Sequence, residues 1–140
     1  MNNIAVVYWS GTGNTQTMAE AVGEGAKSKG ASVDILNVTD FNKDKLGNYD
    51  AIAFGCPAMG AEVLEESEFE PMFASLEDSL KGKIIALFGS YGWGDGQWLR
   101  VWEQRCINDG AIIATESVKA NEAPSDEVLE KCKNLGAALC

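Results

Sequence analysis

A short loop rich in glycine and hydroxyl side chains is the first feature of the sequence that could do chemistry. It directly follows an apolar run and precedes a helix-like stretch, and its residues are Ser10, Gly11, Thr12, Gly13, Asn14 and Thr15. Glycines let the backbone turn tightly and present its N–H groups, the hydroxyls add donors, and the start of a helix adds the positive end of its dipole. The composition predicts a phosphate cradle. An ordinary strand-to-helix turn with a threonine cap would have the same composition.

No cation serves this loop, since the first basic residue of the chain is Lys27. A phosphate would therefore be held by neutral donors, each contributing about 1.5–3 kcal/mol toward a charged acceptor. A Walker loop needs Gly-Lys-Ser/Thr, and a dinucleotide fingerprint needs a third glycine where this chain has Gln16. The sequence excludes both of these phosphate-binding classes.

Two further loops each carry one large apolar side chain among small residues. The first loop follows Cys56 and comprises Pro57, Ala58, Met59, Gly60, Ala61 and Glu62, and the second comprises Ser90, Tyr91, Gly92, Trp93 and Gly94. A tryptophan between glycines is suited to stack on a planar aromatic ligand, and Met59 could cover the opposite face of that ligand. The other interpretation is that Trp93 anchors its own loop and Met59 fills a gap. We assign Trp9, Trp98 and Trp102 mainly to core or helix packing.

Apolar runs alternate with helix-like stretches along the whole chain, which is the pattern of a parallel sheet covered by helices. The predicted strands are Ile4–Trp9, Ser32–Val38, Asp50–Gly55, Ile84–Ser90 and Ala111–Val118. The predicted helices carry apolar stripes at Met18, Val22 and Ala26, at Phe69, Phe73, Leu76 and Leu80, at Trp98, Leu99, Trp102 and Cys106, and at Val128, Leu129, Cys132 and Leu135. A short helix with a weak pattern is predicted at Asp40–Leu46.

These elements predict an α/β fold with three layers, in which a doubly wound, five-stranded parallel sheet has the order 2-1-3-4-5. We expect one domain over residues 1–140. Ligands of such sheets bind beyond the carboxyl ends of the strands, near the point where the strand order reverses. The three loops described above follow strands one, three and four, so we expect them to form one site.

Composition narrows the classes of function. The net charge of −10 argues against nucleic acid and anionic membranes, because phosphate binding needs clustered Lys and Arg, and it favours partners with a basic docking patch. The four cysteines form no CxxC pair and the chain has no histidine, so we expect free thiols and no metal site. No apolar run could span a bilayer and the first residues lack the pattern of a signal peptide, from which we expect a cytoplasmic protein.

In combination, these motifs resemble the short-chain flavodoxins of anaerobic bacteria. The resemblance is carried by Tyr8–Thr15, Ala58–Gly60, Glu62–Pro71 and Leu87–Gly94, and it covers essentially the whole chain. It implies a flavodoxin-like fold and a monomeric, low-potential one-electron carrier that holds FMN non-covalently. Such a carrier shuttles between semiquinone and hydroquinone to move electrons between redox enzymes of the ferredoxin- or flavodoxin-dependent type. The resemblance implies no catalytic residue and no substrate turnover of its own.

The resemblance also implies a role for individual residues. The FMN phosphate is assigned to Ser10, Thr12, Asn14 and Thr15 with the surrounding amides, together with Ser90. Met59 and Trp93 would sandwich the isoalloxazine ring. Glu62 would accept a hydrogen bond from its N3–H, and amides near Gly92 would serve the pyrimidine edge.

Two positions depart from the family pattern: Pro57 stands where some relatives offer a hydroxyl to the phosphate, and Ala61 stands where an Asp is common. In the family, the Gly60–Ala61 peptide would flip on one-electron reduction so that the Gly60 carbonyl accepts from N5–H. If the flipped turn needs a positive φ at residue 61, alanine costs about 1 kcal/mol relative to glycine. We therefore predict a weakened semiquinone stabilisation, which the substitution Ala61→Gly would strengthen.

Acidic residues crowd the segment after the third strand, at Glu62, Glu65, Glu66, Glu68 and Glu70, with no Lys or Arg until Lys81. One interpretation is a solvated helix face. The other is that negative charge near the flavin disfavours the anionic hydroquinone and steers positively charged partners.

Other functional classes fit the sequence less well than an electron carrier does. A flavoenzyme such as an FMN reductase is disfavoured because no histidine, nicotinamide-binding motif or second domain is visible. A receiver domain would carry an acidic cluster after strand one, where this chain has Trp9-Ser10, and a low-molecular-weight phosphatase would need a cysteine followed by an arginine at a fixed spacing. A non-redox FMN-binding scaffold remains as an alternative.

Overall fold

The computed structural model describes residues 2–60 and 62–140. Its parallel sheet has the strand order β2-β1-β3-β4-β5, which confirms the predicted order. The strands are β1 (Asn3–Tyr8), β2 (Ser32–Asn37), β3 (Ala51–Gly55), β4 (Ile84–Tyr91), β5 (Ile112–Ile113) and β6 (Val118–Asn121). The helices are α1 (Asn14–Lys27), α2 (Phe69–Leu76), α3 (Gln97–Asn108) and α4 (Asp126–Ala138).

Two apolar clusters cover the two faces of the sheet. Helices α1 and α4 bury Met18, Val22, Cys132 and Leu135 against one face. Helices α2 and α3 bury Phe69, Phe73, Trp98 and Trp102 against the other. Strand β3 is buried along its whole length, because both of its faces are covered. Double coverage explains why the central strands read as continuous apolar runs rather than as alternating ones.

The fifth position of the sheet differs from the prediction of one strand over Ala111–Val118. Two short strands, β5 and β6, each pair with β4. Ile113 pairs with Ile85, and Val118 pairs with Phe88. Between these two pairs, the segment from Ile113 to Val118 has more residues than β4 has from Ile85 to Phe88. The surplus residues form a bulge at the edge of the sheet, and β6 then continues to Asn121, beyond the predicted end.

The helix predicted at Asp40–Leu46 is not an α-helix. The chain forms two 3-10 turns instead, at Val38–Asp40 and Lys43–Asn48. An asparagine precedes each turn, and its side-chain oxygen accepts a backbone N–H inside the turn. Helix α2 is also shorter than its apolar stripe suggested, because the chain tightens into a 3-10 turn at Glu77–Ser79. At the two turns that follow Asn37 and Asn42, these local side-chain hydrogen bonds compete with regular helix formation.

The protonation of a cysteine thiol depends on whether its side chain is buried. All four cysteines have free thiols, as predicted, and Cys56, Cys106 and Cys132 are buried whereas Cys140 is exposed. Burial raises the pKa of the Cys56 thiol to about 12, so this thiol is protonated at neutral pH.

Among residues 2–60 and 62–140, no group of side chains is arranged to hold a metal ion. Within the same residues, no helix has the combination of length and apolar character that crossing a bilayer requires.

Candidate functional site

A cavity of about 560 Å³ opens at the carboxyl ends of β1, β3 and β4. Small-molecule sites in proteins commonly have volumes of about 300–1,000 Å³. All three predicted loops contribute to the lining of this cavity, and the chain after β6 adds a fourth side. The strand order therefore brings the predicted loops together at one edge of the sheet.

The loop after β1 contributes Ser10, Gly11, Thr12, Asn14 and Thr15 to the cavity. The hydroxyl oxygen of Ser10 accepts hydrogen bonds from the backbone N–H groups of Gly13, at 3.1 Å, and Gln16, at 3.3 Å. Two amides thus fix the position of the Ser10 hydroxyl, which keeps its own hydrogen to donate to an anion.

Gly13 permits this turn, and it immediately precedes the first residue of α1. Its φ of 99° lies in the left-handed region that other residues rarely adopt. The 14 residues of α1 place the positive end of the helix dipole at the loop. The loop therefore offers an anion both hydroxyl donors and a favourable electrostatic potential.

Thr15 and Ser90 connect this loop to β4. The two hydroxyl oxygens lie 3.1 Å apart, both residues are buried, and both line the cavity. No Lys or Arg is among the described residues that line the cavity. Donors at this end are therefore neutral hydroxyls and amides, which suits a phosphate held without a cation.

The loop after β3, the last two residues of β4 and the loop that follows β4 form the other part of the cavity. Pro57, Ala58, Met59, Ser90, Tyr91 and Gly92 line it. A tight turn follows, in which Met59 N–H donates to the Val63 carbonyl at 2.8 Å and Val63 N–H donates to the Met59 carbonyl at 3.2 Å. Five predicted residues are not part of the cavity wall: Gly13, Gly60, Glu62, Trp93 and Gly94. The predicted site residue Ala61 lies outside the described residues, so the predicted flip of the Gly60–Ala61 peptide stays a prediction.

Glu62 has a buried carboxylate oxygen, Oε1, with no hydrogen-bond partner among the described residues. The residue adopts a φ of 56° and lies against Gly94, where an added Cβ would approach Glu62 Oε1 to 2.3 Å. A buried acceptor without a donor costs free energy, on the order of 1–3 kcal/mol. This oxygen is therefore suited to accept a hydrogen bond from a ligand N–H.

Trp93 is the most exposed large apolar side chain in the two loops that follow β3 and β4. Its side chain is 66% exposed, whereas Trp98 and Trp102 are buried in the core as predicted. An indole left in water beside a ligand cleft can gain buried area by stacking on a flat ligand. The exposure of Trp93 is consistent with the stacking interpretation and does not fit the interpretation that it anchors its own loop.

Sequence reasoning missed three residues of the cavity wall, Trp9, Glu122 and Ala123. Trp9 packs partly against the core cluster, as predicted, and it also lines the cavity, which the assignment mainly to packing did not anticipate. Glu122 and Ala123 follow β6 and so reach the same edge of the sheet. They were missed because the fifth strand was predicted to end at Val118.

Neither interpretation of the acidic segment describes all of it. Glu65 is buried, and its carboxylate accepts from the N–H groups of Ser67, Glu68 and Phe69 at 2.9, 2.7 and 2.8 Å, which caps the start of α2. Burial favours the neutral acid, but a hydrogen bond from the Ser67 hydroxyl, together with these three backbone hydrogen bonds, outweighs it and holds the pKa of Glu65 below its ordinary value. Glu65 is therefore a structural anion rather than part of a solvated face.

Two neighbours of Glu65 also have specific partners. The carboxylate of Glu68 accepts from the indole Nε1–H of Trp9 at 3.0 Å. Glu70 forms an ion pair with Arg105, with an N–O distance of 2.7 Å. Glu66 is exposed, so it alone fits the prediction of a solvated face.

Comparison with known proteins gives a consistent result. The family model for flavodoxin matches residues 6–136. The chain is 47% identical to the flavodoxin of Clostridium beijerinckii over 134 residues and 45% identical to that of Megasphaera elsdenii over 135 residues, with 96% of each chain covered in both cases. It is also similar to the solution structure of two-electron reduced Megasphaera elsdenii flavodoxin, with a TM-score of 0.90, 46% identity and 97% of each chain covered.

Proposed function

Because the chain belongs to the flavodoxin family, we propose that it is a low-potential electron carrier whose FMN is held in the cavity at the carboxyl ends of β1, β3 and β4. The resemblance predicted from the motifs is confirmed, and with it an FMN-binding protein that transfers electrons to redox partners rather than an enzyme. The residues of the site, the potential, the docking surface, the monomeric state and the cytoplasmic location are parts of the proposal.

One observation supports the position of the FMN site. Two neighbouring loops hold an uncharged site for an anion and a buried acceptor oxygen that lacks a hydrogen-bond donor. Ser10 Oγ gathers two amides at one end, and Glu62 Oε1 lacks a partner at the other. FMN carries a phosphate and a ring N–H, so it can satisfy both ends at once. The residues present therefore fit this cofactor.

When bound, the flavin supplies one-electron chemistry, since it can accept and donate electrons singly. Ser10, Thr12, Asn14, Thr15 and Ser90 would bind its phosphate. Met59 and Trp93 would cover the ring faces, Glu62 would orient the ring through its N–H, and amides near Gly92 would bind the pyrimidine edge. The apolar covers would also limit access of oxygen and stray reductants, while an open edge leaves a route to a partner.

Negative charge supports the low-potential part of the proposal. Glu122 lines the cavity, Glu62 lies in an adjoining loop, and the chain carries a net charge of −10. Carboxylates near the ring oppose a further negative charge on the flavin and so lower the potential of the second electron. The same field would steer a partner with a basic docking patch, and added salt should slow that encounter.

The deciding experiment is anaerobic stepwise reduction of the purified protein, followed by visible absorbance. The expected result is a yellow protein whose absorbance changes in two separate one-electron steps, turning blue in the first and pale in the second, with the second step at a potential below that of free FMN. Colourless protein that takes up no added FMN would contradict the proposal. Bleaching in a single two-electron step would instead indicate a flavoenzyme, and a second step near the potential of free FMN would remove the low-potential part.

A further inference from the structure

Trp9 and Glu68 are 59 residues apart in sequence and in direct contact. The indole Nε1–H of Trp9 donates to Glu68 Oε1 at 3.0 Å. Trp9 follows β1 and lines the cavity, whereas Glu68 immediately precedes α2. The contact therefore joins the wall of the cavity to a segment that does not itself line it.

The remaining surroundings of Trp9 restrict its ring. Its backbone N–H donates to the Gly55 carbonyl at 3.0 Å, which fixes the main chain between β1 and β3. The ring lies close to Gly11, where an added Cβ would come within 3.0 Å of it. Another part of the side chain packs against the apolar cluster beneath α2 and α3. The indole N–H is the polar end of the Trp9 side chain, and Glu68 accepts its hydrogen bond.

Glu68 is itself held by a chain of contacts that begins at β3. Cys56 follows β3, and its sulfur accepts the Glu65 N–H at 3.4 Å. The buried carboxylate of Glu65 then accepts the Glu68 N–H at 2.7 Å. The Glu68 carbonyl accepts the Met72 N–H at 3.3 Å. The Glu68 carboxylate is thus presented from a backbone that cannot easily move.

We infer that Glu68 is a positioning residue of the FMN site: by accepting the indole N–H it keeps the Trp9 ring in place as a cavity wall and so strengthens FMN binding. This inference rests on the proposed function. The acceptor role, rather than the negative charge, is what the geometry requires. A glutamine at position 68 offers an acceptor oxygen of similar reach without the charge, whereas an alanine offers neither.

The test compares FMN dissociation constants of apoprotein variants by flavin fluorescence, with near-UV circular dichroism of each apoprotein as a second readout. We expect Glu68→Ala to weaken FMN binding about three- to tenfold, which is less than a hydrogen bond to a charged group commonly contributes, because this one is exposed. Glu68→Gln should restore binding to within about twofold and restore the tryptophan signals of the spectrum. Trp9→Phe should match Glu68→Ala, and combining the two should add little.

Glu66 provides the matched control. It is exposed and lies two residues away, so Glu66→Gln removes the same charge without removing a contact to Trp9. Urea unfolding of each apoprotein checks that the variants are folded. The inference is overturned if Glu68→Ala binds FMN as tightly as the wild type, if Glu68→Gln is as weak as Glu68→Ala, or if the two losses add fully. If the wild-type apoprotein takes up no FMN, it is the proposed function that fails.

Discussion

The two ends of the proposed FMN site are built in different ways. In the loop after β1, polar groups are already paired, with Ser10 accepting from two amides and Thr15 contacting Ser90. In the loops after β3 and β4, Glu62 keeps a buried oxygen without a donor and Trp93 is largely exposed. The first end is complete by itself, and the second lacks the contacts that a ligand would supply.

The difference has an energetic consequence. A phosphate can bind to the first end with little reorganisation, because the loop is shaped before the ligand arrives. At the second end, the ligand itself would satisfy the buried oxygen and cover the indole. Substitutions at the two ends should therefore weaken the binding of different parts of the cofactor. Riboflavin, which has the ring but no phosphate, separates them.

The largest expected effect is on the phosphate end. Ser10→Ala removes the hydroxyl that would donate to the FMN phosphate and that the Gly13 and Gln16 amides hold in place. Loss of one hydrogen bond to a charged acceptor, about 1.5–3 kcal/mol, should weaken FMN binding by about 10- to 100-fold. Riboflavin affinity should not change, and Ser75→Ala in α2 serves as the control. Equal losses for FMN and riboflavin, measured by fluorescence titration of the apoprotein, would contradict the division into two ends.

A smaller effect is expected at the ring end from Gly94→Ala. Gly94 has a φ of 86°, and a Cβ there would meet Glu62 Oε1 at 2.3 Å. The left-handed conformation costs other residues about 1–2 kcal/mol, so the loop should shift and weaken both FMN and riboflavin by about 5- to 30-fold. Gly82→Ala, which has a φ of 78° and where an added Cβ meets nothing within 4 Å, is the matched control. A loss confined to FMN would show that Gly94 acts on the phosphate instead.

Trp93→Ala should have a milder effect on the same end. Aromatic stacking contributes about 0.5–1.5 kcal/mol, which corresponds to an affinity loss of about 2- to 10-fold for both flavins. Because the side chain is 66% exposed, the unfolding free energy of the apoprotein should be unchanged. Titration and urea unfolding check the two parts, and a destabilised apoprotein would favour the interpretation that Trp93 anchors its loop.

A change away from both ends should leave flavin binding unaltered. At the C-terminal end of α3, burial and the neighbouring Glu77 raise the pKa of Asp109 to about 6, while Arg105 holds the pKa of Glu77 below its ordinary value. Because the folded state binds this proton more tightly than the unfolded chain, its contribution to stability is full below about pH 4 and is lost as the pH rises through about 6.

Asp109→Asn should remove this dependence. Urea unfolding of the two apoproteins between about pH 4 and 7 should show a difference in free energy that shifts in favour of the variant as the pH rises. The FMN dissociation constant at pH 7 should be the same for both proteins. A pH-independent difference would contradict the raised pKa, and a change in FMN affinity would show that the two regions are coupled.

The sequence was sufficient to predict the parts that depend on continuous or periodic patterns. Strands buried on both faces give unbroken apolar runs, and the stripes of α1, α3 and α4 mark the faces that pack on the sheet. The hydroxyl and glycine composition of the loop after β1 was specific enough to place Ser10 and Thr15 in one cleft. Local composition was sufficient because these features are local.

Features that depend on tertiary pairing could not be predicted. The bulge between β5 and β6 is set by how that segment pairs with β4, and this hid Glu122 from the predicted site. Glu65 and Glu68 look alike in sequence, yet one caps a helix and the other holds an indole. A run of identical charges gives no indication of which member will find a partner 59 residues away.

The interrupted edge of the sheet also bears on self-association. An exposed strand edge is a template on which another chain can add a strand, and long flat edges promote aggregation. Here the edge is divided into β5, of two residues, and β6, of four. An incoming strand would find only short stretches of regular pairing before the bulge broke the register. The bulge should therefore keep this edge of the sheet from adding a strand of another chain.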